Sequence, residues 1–183
     1  MGRYKVESGG GYVYFCTCTV VAWECIFIDK SYSDIAIDSL RYCRENKGMR
    51  IYGYVVMPNH VHFIAQSIEG IDFAAVVRDF KRHTSSRLFE QLQRDHRAGR
   101  IEYFRRAAQF YGQKSAFKIW QDGYHPEEIH TEAFFQQKLN YLHDNPVRKG
   151  YVAHPWEWLY SSARYYADYE TELGVLQVDF VEW

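Results

Sequence analysis

The sequence has almost no net charge, no long apolar run and no cysteine beyond its first quarter. The formal net charge of the 183 residues is -1, so no global basic excess marks a nucleic-acid-binding protein. No apolar run approaches the ~20 residues that a membrane helix needs. The polar, glycine-rich N-terminus also lacks the apolar core of a signal peptide. We therefore expect a cytoplasmic protein that does not enter membranes.

The cysteines argue against disulfides and against a zinc site. All four lie between Cys16 and Cys43, and no downstream pair completes a set of zinc ligands. Cys16 and Cys18 would share one face of a strand, where the geometry does not suit a bond between them. Buried free thiols in a reducing compartment are the expected state.

What the chain does have is apolar and aromatic mass, at 47% and 18% of its residues. This suffices for one proper core, and the length favours a single domain over residues 1–183. Charge is unevenly spread: Lys and Arg outnumber Asp and Glu between Asp72 and Arg106, whereas the stretch from Tyr165 to Trp183 contains acids and no base. The sequence therefore combines one basic stretch with an acidic tail.

Residue patterns predict an α+β fold. The predicted strands are Tyr12 to Trp23, Arg50 to Val56, His60 to Ser67 and Ala116 to Gln121. The predicted helices run from Ser33 or Asp34 to about Lys47, from Asp72 onward, and from about Thr131 to Asp144. Pro146 is expected to stop the last helix, and residues 94–115 form an insertion of uncertain structure. This order predicts a ferredoxin/RRM-like antiparallel sheet of four to five strands with helices mainly on one face.

The strongest local pattern is His60-Val61-His62 with Phe63. Residues two apart in a strand point the same way, so the two imidazoles share one side and Val61 and Phe63 the other. With Val61 and Phe63 buried against the helices, the histidines would lie on an open face at metal-ligand distance. Histidine has many other roles, so ordinary strand histidines in polar contacts stay an alternative.

Tyr141 lies off the apolar stripe that Phe135, Leu139 and Leu142 form on the last predicted helix. Gln137 and Asn145 flank it one turn either way on the same face. A side-chain amide could therefore join the two histidines around a metal. A packing tyrosine is the alternative, because half-buried Tyr is common.

Together these patterns resemble the HUH single-tyrosine transposases of the insertion-sequence-200 kind. The match is nearest to the REP-associated tyrosine transposase branch, whose tyrosine helix ends in Asn-Pro. The resemblance covers a core of about residues 10–166, leaving an acidic tail of about 167–183. The matching residues are His60-Val61-His62, Tyr141 to Val147 and Gly150 to Val152, supported by Trp120-Gln121, the His125 loop and Trp156 to Ser162.

The resemblance implies a metal-dependent, site-specific single-stranded DNA endonuclease and ligase. Tyr141 would be the nucleophile and form a 5′-phosphotyrosine intermediate. Mg²⁺ or Mn²⁺ would be held by His60, His62 and Asn145, with Gln137 as the second choice for the amide ligand. A phenol leaves more readily than an alkyl alcohol because its reference pKa is about 10, so a DNA 3′-hydroxyl can reverse the link. No general base stands out, although His143 and His125 are candidates.

The expected partner is single-stranded or hairpin DNA of the REP kind, bound by a monomer or a homodimer. Lys and Arg contacts to phosphates would make the affinity salt-dependent. Trp156, Trp158, Tyr160 or Tyr151 could stack on unpaired bases. The expected DNA-binding residues are Arg78, Lys81, Arg82, Arg87, Arg148 and Lys149, with Arg164 nearby.

Two other function classes stay open. One is a non-catalytic single-stranded nucleic-acid binding module with an RRM-like fold, which needs exposed strand aromatics and no metal. The other is a metal phosphodiesterase with water as nucleophile, which forms no covalent adduct and does not need Tyr141.

Overall fold

A computed structural model describes residues 11–167 and 176–181. Residues 1–10, 168–175 and 182–183, and with them the predicted polar N-terminus and most of the predicted acidic tail, lie outside the described residues. The strands are β1 (Val13–Thr19), β2 (Met49–Met57), β3 (His60–Ser67) and β4 (Glu127–Ile129). The helices are α1 (Lys30–Asn46), α2 (Phe73–Arg94), α3 (Ala98–Phe110), α4 (Glu132–Arg148) and α5 (Ala163–Tyr166).

The four strands form one antiparallel sheet in the order β2-β3-β1-β4. A two-residue turn at Pro58 and Asn59 joins β2 to β3, which favours antiparallel neighbours. This is the strand order of the ferredoxin-like fold, and the predicted fold class is confirmed. The central strands β1 and β3 run side by side, with Thr17 opposite His62 and Thr19 opposite His60.

Both faces of the sheet are covered. On one face Cys16, Val61 and Phe63 join a large core with residues of α1 and α2, as the strand alternation predicts. On the other face Phe15 and Ile64 join a smaller core with residues of α4. The long helices α1 and α2 therefore lie on one face, while α4 packs against the side that carries the histidines.

Two predicted strands differ from the structure. β1 ends at Thr19 rather than Trp23, because Ala22 and Trp23 adopt left-handed backbone angles that no strand accommodates. The predicted strand at residues 116–121 is wrong: only Trp120 bridges, to Val20. The fourth strand is instead the three-residue β4, too short for its alternation to be read from the sequence.

The basic stretch folds into two helices. Asp72 caps α2 as predicted, its carboxylate accepting the N–H of Ala74 at 2.9 Å. The insertion of uncertain structure contains α3, which buries Phe104 against the large core. Phe89 of α2 stacks on Phe117 beyond α3, with ring centroids 3.9 Å apart. This contact closes the insertion onto the end of α2.

Helix α4 runs past Pro146 to Arg148, so the predicted stop at Asn145 is wrong. Pro146 lies in the last turn, where it costs the helix a single hydrogen bond. The helix ends instead at Gly150, whose φ of 72° is left-handed. The bonds from Gly150 N–H to Val147 O and from Tyr151 N–H to Pro146 O complete a Schellman motif. Asn145 therefore has a helical position in line with Tyr141.

Helix α4 packs closely on β2 at Gly53. A Cβ added to Gly53 would lie 2.7 Å from Leu139 Cδ1, a distance that real Cβ atoms do not tolerate. Leu139 is itself buried in the smaller core. Because Leu139 and Tyr141 lie half a turn apart on α4, the absence of a side chain at residue 53 helps to set the height of Tyr141 above the sheet.

A buried polar contact fastens the same helix at its far end. His143 Nε2 lies 2.8 Å from Ser162 Oγ, which also accepts the N–H of Tyr54 at 2.9 Å. Helix α4, strand β2 and the segment before α5 therefore meet at one hydroxyl. His143 is engaged inside the protein, which argues against a role as general base.

The described end of the chain lies along the outer edge of β2. Asp179 donates its N–H to Ile51 O at 2.7 Å and accepts the Ile51 N–H through its carboxylate at 3.0 Å. The same carboxylate pairs with Arg44 through two bonds, while Leu176 and Val178 are buried in the large core. Residues 176–181 therefore extend the covering of the sheet.

None of the helices within residues 11–167 and 176–181 is both long and apolar enough to span a membrane.

The Gly53 approach can be tested by adding one methyl group. Gly53→Ala should lower the free energy of unfolding by about 1 to 3 kcal/mol, because the buried Leu139 must shift. Denaturant titration measures the change. Gly99→Ala is the matched control, since its Cβ meets nothing within 4 Å, and it should change stability by less than about 1 kcal/mol. Equal effects at the two positions would contradict the close approach.

His143 links stability to pH. Burial lowers the pKa of His143 to about 4, whereas an unfolded histidine titrates near 6.5. The unfolded chain therefore takes up this proton first, so the stabilisation is complete above about pH 6.5 and is lost as the pH falls toward 4. Between about pH 7 and about pH 5 the wild type should lose up to about 2 kcal/mol more unfolding free energy than His143→Asn. Equal losses in urea titrations of the two proteins would refute this.

Candidate functional site

His60 and His62 lie at the start of β3 and face α4. Their ring centroids are 4.6 Å apart, with the planes at 73°, as side chains two apart on a strand require. The predicted open face is wrong, since only 6% of His60 and 5% of His62 is exposed. Helix α4 covers this side of the sheet, and the pair lies under its C-terminal half.

Each imidazole has a partner for Nδ1. His60 Nδ1 lies 2.7 Å from Asn59 Oδ1, and His62 Nδ1 lies 2.8 Å from Thr17 Oγ1. Because an amide oxygen only accepts, His60 carries its proton on Nδ1, and Nε2 keeps a lone pair. A partner on one ring nitrogen that fixes the tautomer and orients the ring is the usual support of a metal-binding histidine.

Both histidines are neutral at neutral pH. Burial lowers the pKa of His60 to about 4, with a further contribution from the nearby Lys149 charge. Burial lowers the pKa of His62 to about 3, and the neighbouring His60 lowers it further. A neutral imidazole is the form that donates a lone pair to a metal.

Tyr141 of α4 lies directly beside the pair. Its ring meets His62 edge-on, with centroids 5.7 Å apart, and Phe15 in the same manner at 5.9 Å. The side chain is 40% exposed, so the phenol is not packed in the interior. A substrate at the protein surface can therefore reach a tyrosine whose ring contacts His62 of the histidine pair.

The two candidate amides differ in burial. Asn145, one turn after Tyr141, is only 6% exposed. Within the described residues, the Asn145 side chain has no hydrogen-bond partner. Gln137, one turn before Tyr141, is exposed to solvent. Asn145 also lies between Tyr141, which contacts His62, and Lys149, which acts on His60. Of the two amides, Asn145 is the buried one.

Across residues 11–167 and 176–181, no three His, Cys, Asp or Glu side chains cluster as a metal site. A cation here would therefore depend on two imidazoles and an amide. Such nitrogen and oxygen donors suit Mg²⁺ or Mn²⁺ better than a thiolate set would.

Positive charge surrounds the tyrosine. The guanidinium of Arg148 lies over the Tyr141 ring, 5.1 Å from its centroid. Lys138 lies 5.0 Å from the Phe15 centroid and pairs with Glu127. Lys149 contributes to the lowered pKa of His60, so three cations of α4 and its C-cap lie near the site, an arrangement suited to a phosphate.

The basic residues of α2 lie across the sheet from the histidines. Arg82 pairs with Asp79 and Arg87 with Glu90, both at exposed positions. The Lys81 ammonium donates to the backbone carbonyls of Gln121 and Gly123, and burial lowers its pKa. Arg78 borders a shallow cleft with Lys81. Lys81 is thus the member of the predicted DNA-binding set least free to bind a phosphate.

The aromatic residues after α4 pack on one another. Tyr151 stacks on Trp158 at 5.5 Å, and Trp158 donates its indole N–H to Val56 O at 3.0 Å. Trp156 stacks on His154 at 4.6 Å, and the Tyr160 hydroxyl donates to Asp34 at 3.1 Å. This group holds the loop after α4 on the sheet.

Sequence reasoning missed Trp23. Its side chain is 57% exposed and its ring meets His60 edge-on, with centroids 5.9 Å apart. The predicted first strand ran through this position, because nothing in Val21-Ala22-Trp23 favours a left-handed backbone. The composition therefore offered no signal for the turn that brings the indole to the histidines.

The chain is similar to several known proteins. An uncharacterized protein of Haemophilus influenzae Rd is 25% identical over 160 residues, covering 79% of this chain and 84% of its own length. The structure of a REP-associated tyrosine transposase bound to a REP hairpin superposes with a TM-score of 0.65 at 19% identity. That match covers 99% of this chain and 100% of the other, and it shows that the two share a fold.

The family model described as "Transposase IS200 like" matches residues 22–145. The matched range contains the histidine pair, Tyr141 and Asn145, so the model spans both halves of the site. It also covers well over half of the chain, and the predicted family is confirmed: this protein belongs to the IS200-like transposases.

Proposed function

We propose that the protein cuts and rejoins single-stranded DNA through a covalent link to Tyr141. One observation carries the proposal: a half-exposed phenol lies beside two buried, neutral imidazoles of the same chain, 5.7 Å from the nearer ring centroid. Membership of a transposase family supports DNA cleavage. The tyrosine chemistry is our inference from the site.

The donor set fits a divalent cation. His60 and His62 would each bind through Nε2, since their Nδ1 atoms are engaged by Asn59 and Thr17. Asn145 would supply an amide oxygen, because its buried side chain has no hydrogen-bond partner within the described residues. Such a cation would polarise the scissile phosphate and neutralise charge that develops on it.

The reaction balances without an external energy source. The Tyr141 oxygen attacks phosphorus and loses its proton, and a phosphorus–oxygen bond forms. The bond from phosphorus to the 3′ oxygen breaks, leaving a 5′-phosphotyrosine and a 3′-hydroxyl. Attack by a 3′-hydroxyl on the phosphotyrosine reverses these steps and rejoins the strand. Arg148, which lies over the Tyr141 ring, and Lys149, which lowers the pKa of His60, would hold the phosphate oxygens during both steps.

We further propose a hairpin of the REP kind as the substrate. Support comes from the Asn145-Pro146 pair in the last turns of the tyrosine helix and from the shared fold with a transposase that binds a REP hairpin. Arg148 and Lys149 would contact the cleaved strand. A longer duplex could reach the far side of the sheet and bind there to Arg78, Arg82 and Arg87. The site lies within one chain, which favours cleavage by a monomer over a homodimer that shares its active sites.

The main alternative is a binding module that does not cut DNA. The exposed Trp23 beside the site favours it, since exposed aromatics serve unpaired bases in such modules. The enzyme and the module differ in whether a covalent adduct forms.

Tyr141→Phe should abolish the covalent adduct while leaving hairpin affinity within about twofold, because only the phenolic oxygen is removed. The test incubates the protein and Mn²⁺ with a library of single-stranded hairpins and looks for a protein–DNA band that resists denaturant. Tyr151→Phe is the matched control, a 50% exposed tyrosine shortly after the same helix, and it should keep the adduct.

Three outcomes separate the function classes. An adduct that persists in Tyr141→Phe removes this residue as the nucleophile. Cleavage without an adduct in either protein indicates a phosphodiesterase that uses water. Binding with neither cleavage nor adduct indicates the binding module.

Asn145→Ala should weaken Mn²⁺ binding at least about tenfold, the scale on which supporting residues of metal sites act. Titration calorimetry in the Tyr141→Phe background measures this without relying on activity. Gln137→Ala is the matched control, because it removes an exposed amide one turn before Tyr141. A loss confined to Gln137→Ala would move the third ligand to that residue, and no loss in either would exclude an amide ligand.

A further inference from the structure

An exposed indole extends the site beyond the groups that the proposed chemistry uses. Trp23 is 57% exposed, and its ring meets the edge of His60 at 5.9 Å. Two other indoles form hydrogen bonds inside the protein: Trp120 donates to Thr84 Oγ1 and Trp158 donates to Val56 O. Trp23 thus offers an open aromatic face next to the buried histidines.

The backbone under Trp23 is strained and firmly held. Ala22 and Trp23 have φ values of 48° and 59°, which residues with a Cβ rarely adopt. The turn is fastened by Val21 N–H to Ile119 O at 2.8 Å and by Trp23 N–H to Val20 O at 3.0 Å. Strained backbone conformations persist only where the surrounding structure holds them, and they are concentrated at ligand-binding and active sites.

One side chain joins this turn to the histidine. The Asn59 amide donates to Trp23 O at 3.3 Å and its oxygen lies 2.7 Å from His60 Nδ1. The indole and the imidazole therefore keep a fixed relation. A ligand on Trp23 lies at a defined place relative to the histidine pair.

The charges near the histidines and Tyr141 fit a single DNA strand. Lys149 is close enough to His60 to act on its charge, and Arg148 lies over Tyr141. An aromatic face next to such cations matches alternating bases and phosphates, the arrangement by which proteins hold unpaired strands. In a duplex, the stacked bases above and below cover the faces of each base. Only an unstacked base can therefore present a face to the indole.

We propose that Trp23 stacks on an unpaired base next to the scissile phosphate and so positions the strand for Tyr141. This rests on the proposed function, which places that phosphate at His60, His62 and Tyr141. Trp23 is a positioning residue in this scheme, since it touches a flanking base and not the reacting atoms. It would set which nucleotide of the strand is cut.

The test uses short single-stranded oligonucleotides that each carry one 2-aminopurine, whose fluorescence falls when it stacks on an indole. Titrations in the Tyr141→Phe background report binding without cleavage. One probe position should be quenched, and Trp23→Gly should abolish the quenching and weaken binding about 5- to 100-fold. Trp23→Phe should keep most of the affinity, because it retains a ring for stacking.

Glycine suits this position because it accepts a left-handed backbone, so Trp23→Gly should not lower the melting temperature. Tyr42→Ala, which removes a 55% exposed ring on α1 across the sheet, is the matched control and should leave quenching and affinity unchanged. In proteins with Tyr141 intact, Trp23→Gly should also slow adduct formation or shift the cut.

The results separate the two proposals. Adduct formation, affinity and quenching that are all unchanged in Trp23→Gly would overturn the role of Trp23 and leave the tyrosine chemistry standing. Quenching that depends on Trp23 in a protein that never forms an adduct would overturn the enzyme and keep the indole as the platform of a binding module.

Discussion

The packing of α4 on the histidine-bearing face of the sheet is the constraint on which the site depends. Two imidazoles on a strand are an ordinary feature until a helix covers them. Burial lowers the pKa of both and keeps them neutral, and the helix brings the Tyr141 ring to His62. The position of that helix depends on its close approach to Gly53 and on the contact of His143 with the Ser162 hydroxyl. Residues that take no part in the proposed reaction thus determine the position of Tyr141 relative to the histidines.

Much of the fold could be predicted from local pattern. The hairpin of β2 and β3 followed from a short turn between apolar strands, and β3 runs from His60 to Ser67 as expected. The start of α2 at Asp72 also followed, because signals for the start of a helix are encoded within a few residues. The pairing of the histidines with Tyr141 came from a family resemblance, since the two motifs are too distant for any local pattern to join them.

The features that were missed depend on tertiary contacts. β4 has three residues and forms only because β1 offers it an edge. Pro146 resembled a helix stop, yet the stop is encoded by Gly150, which alone accepts the backbone that a Schellman motif needs. The histidines were expected at an open surface because nothing in β3 reveals what lies above it. The Trp23 turn is held by Ile119 and Asn59, partners that no inspection of residues 21–23 could supply.

The pairing of Asp179 with Ile51 bears on how molecules of this protein meet. An exposed sheet edge is a template for adding a strand from another molecule. The outer edge of β2 is occupied at Ile51 by the backbone and carboxylate of the chain's own end, and the opposite edge is the very short β4. Among the described residues, the pairing at Ile51 and the shortness of β4 both reduce the backbone that another strand could bind at the two edges of the sheet.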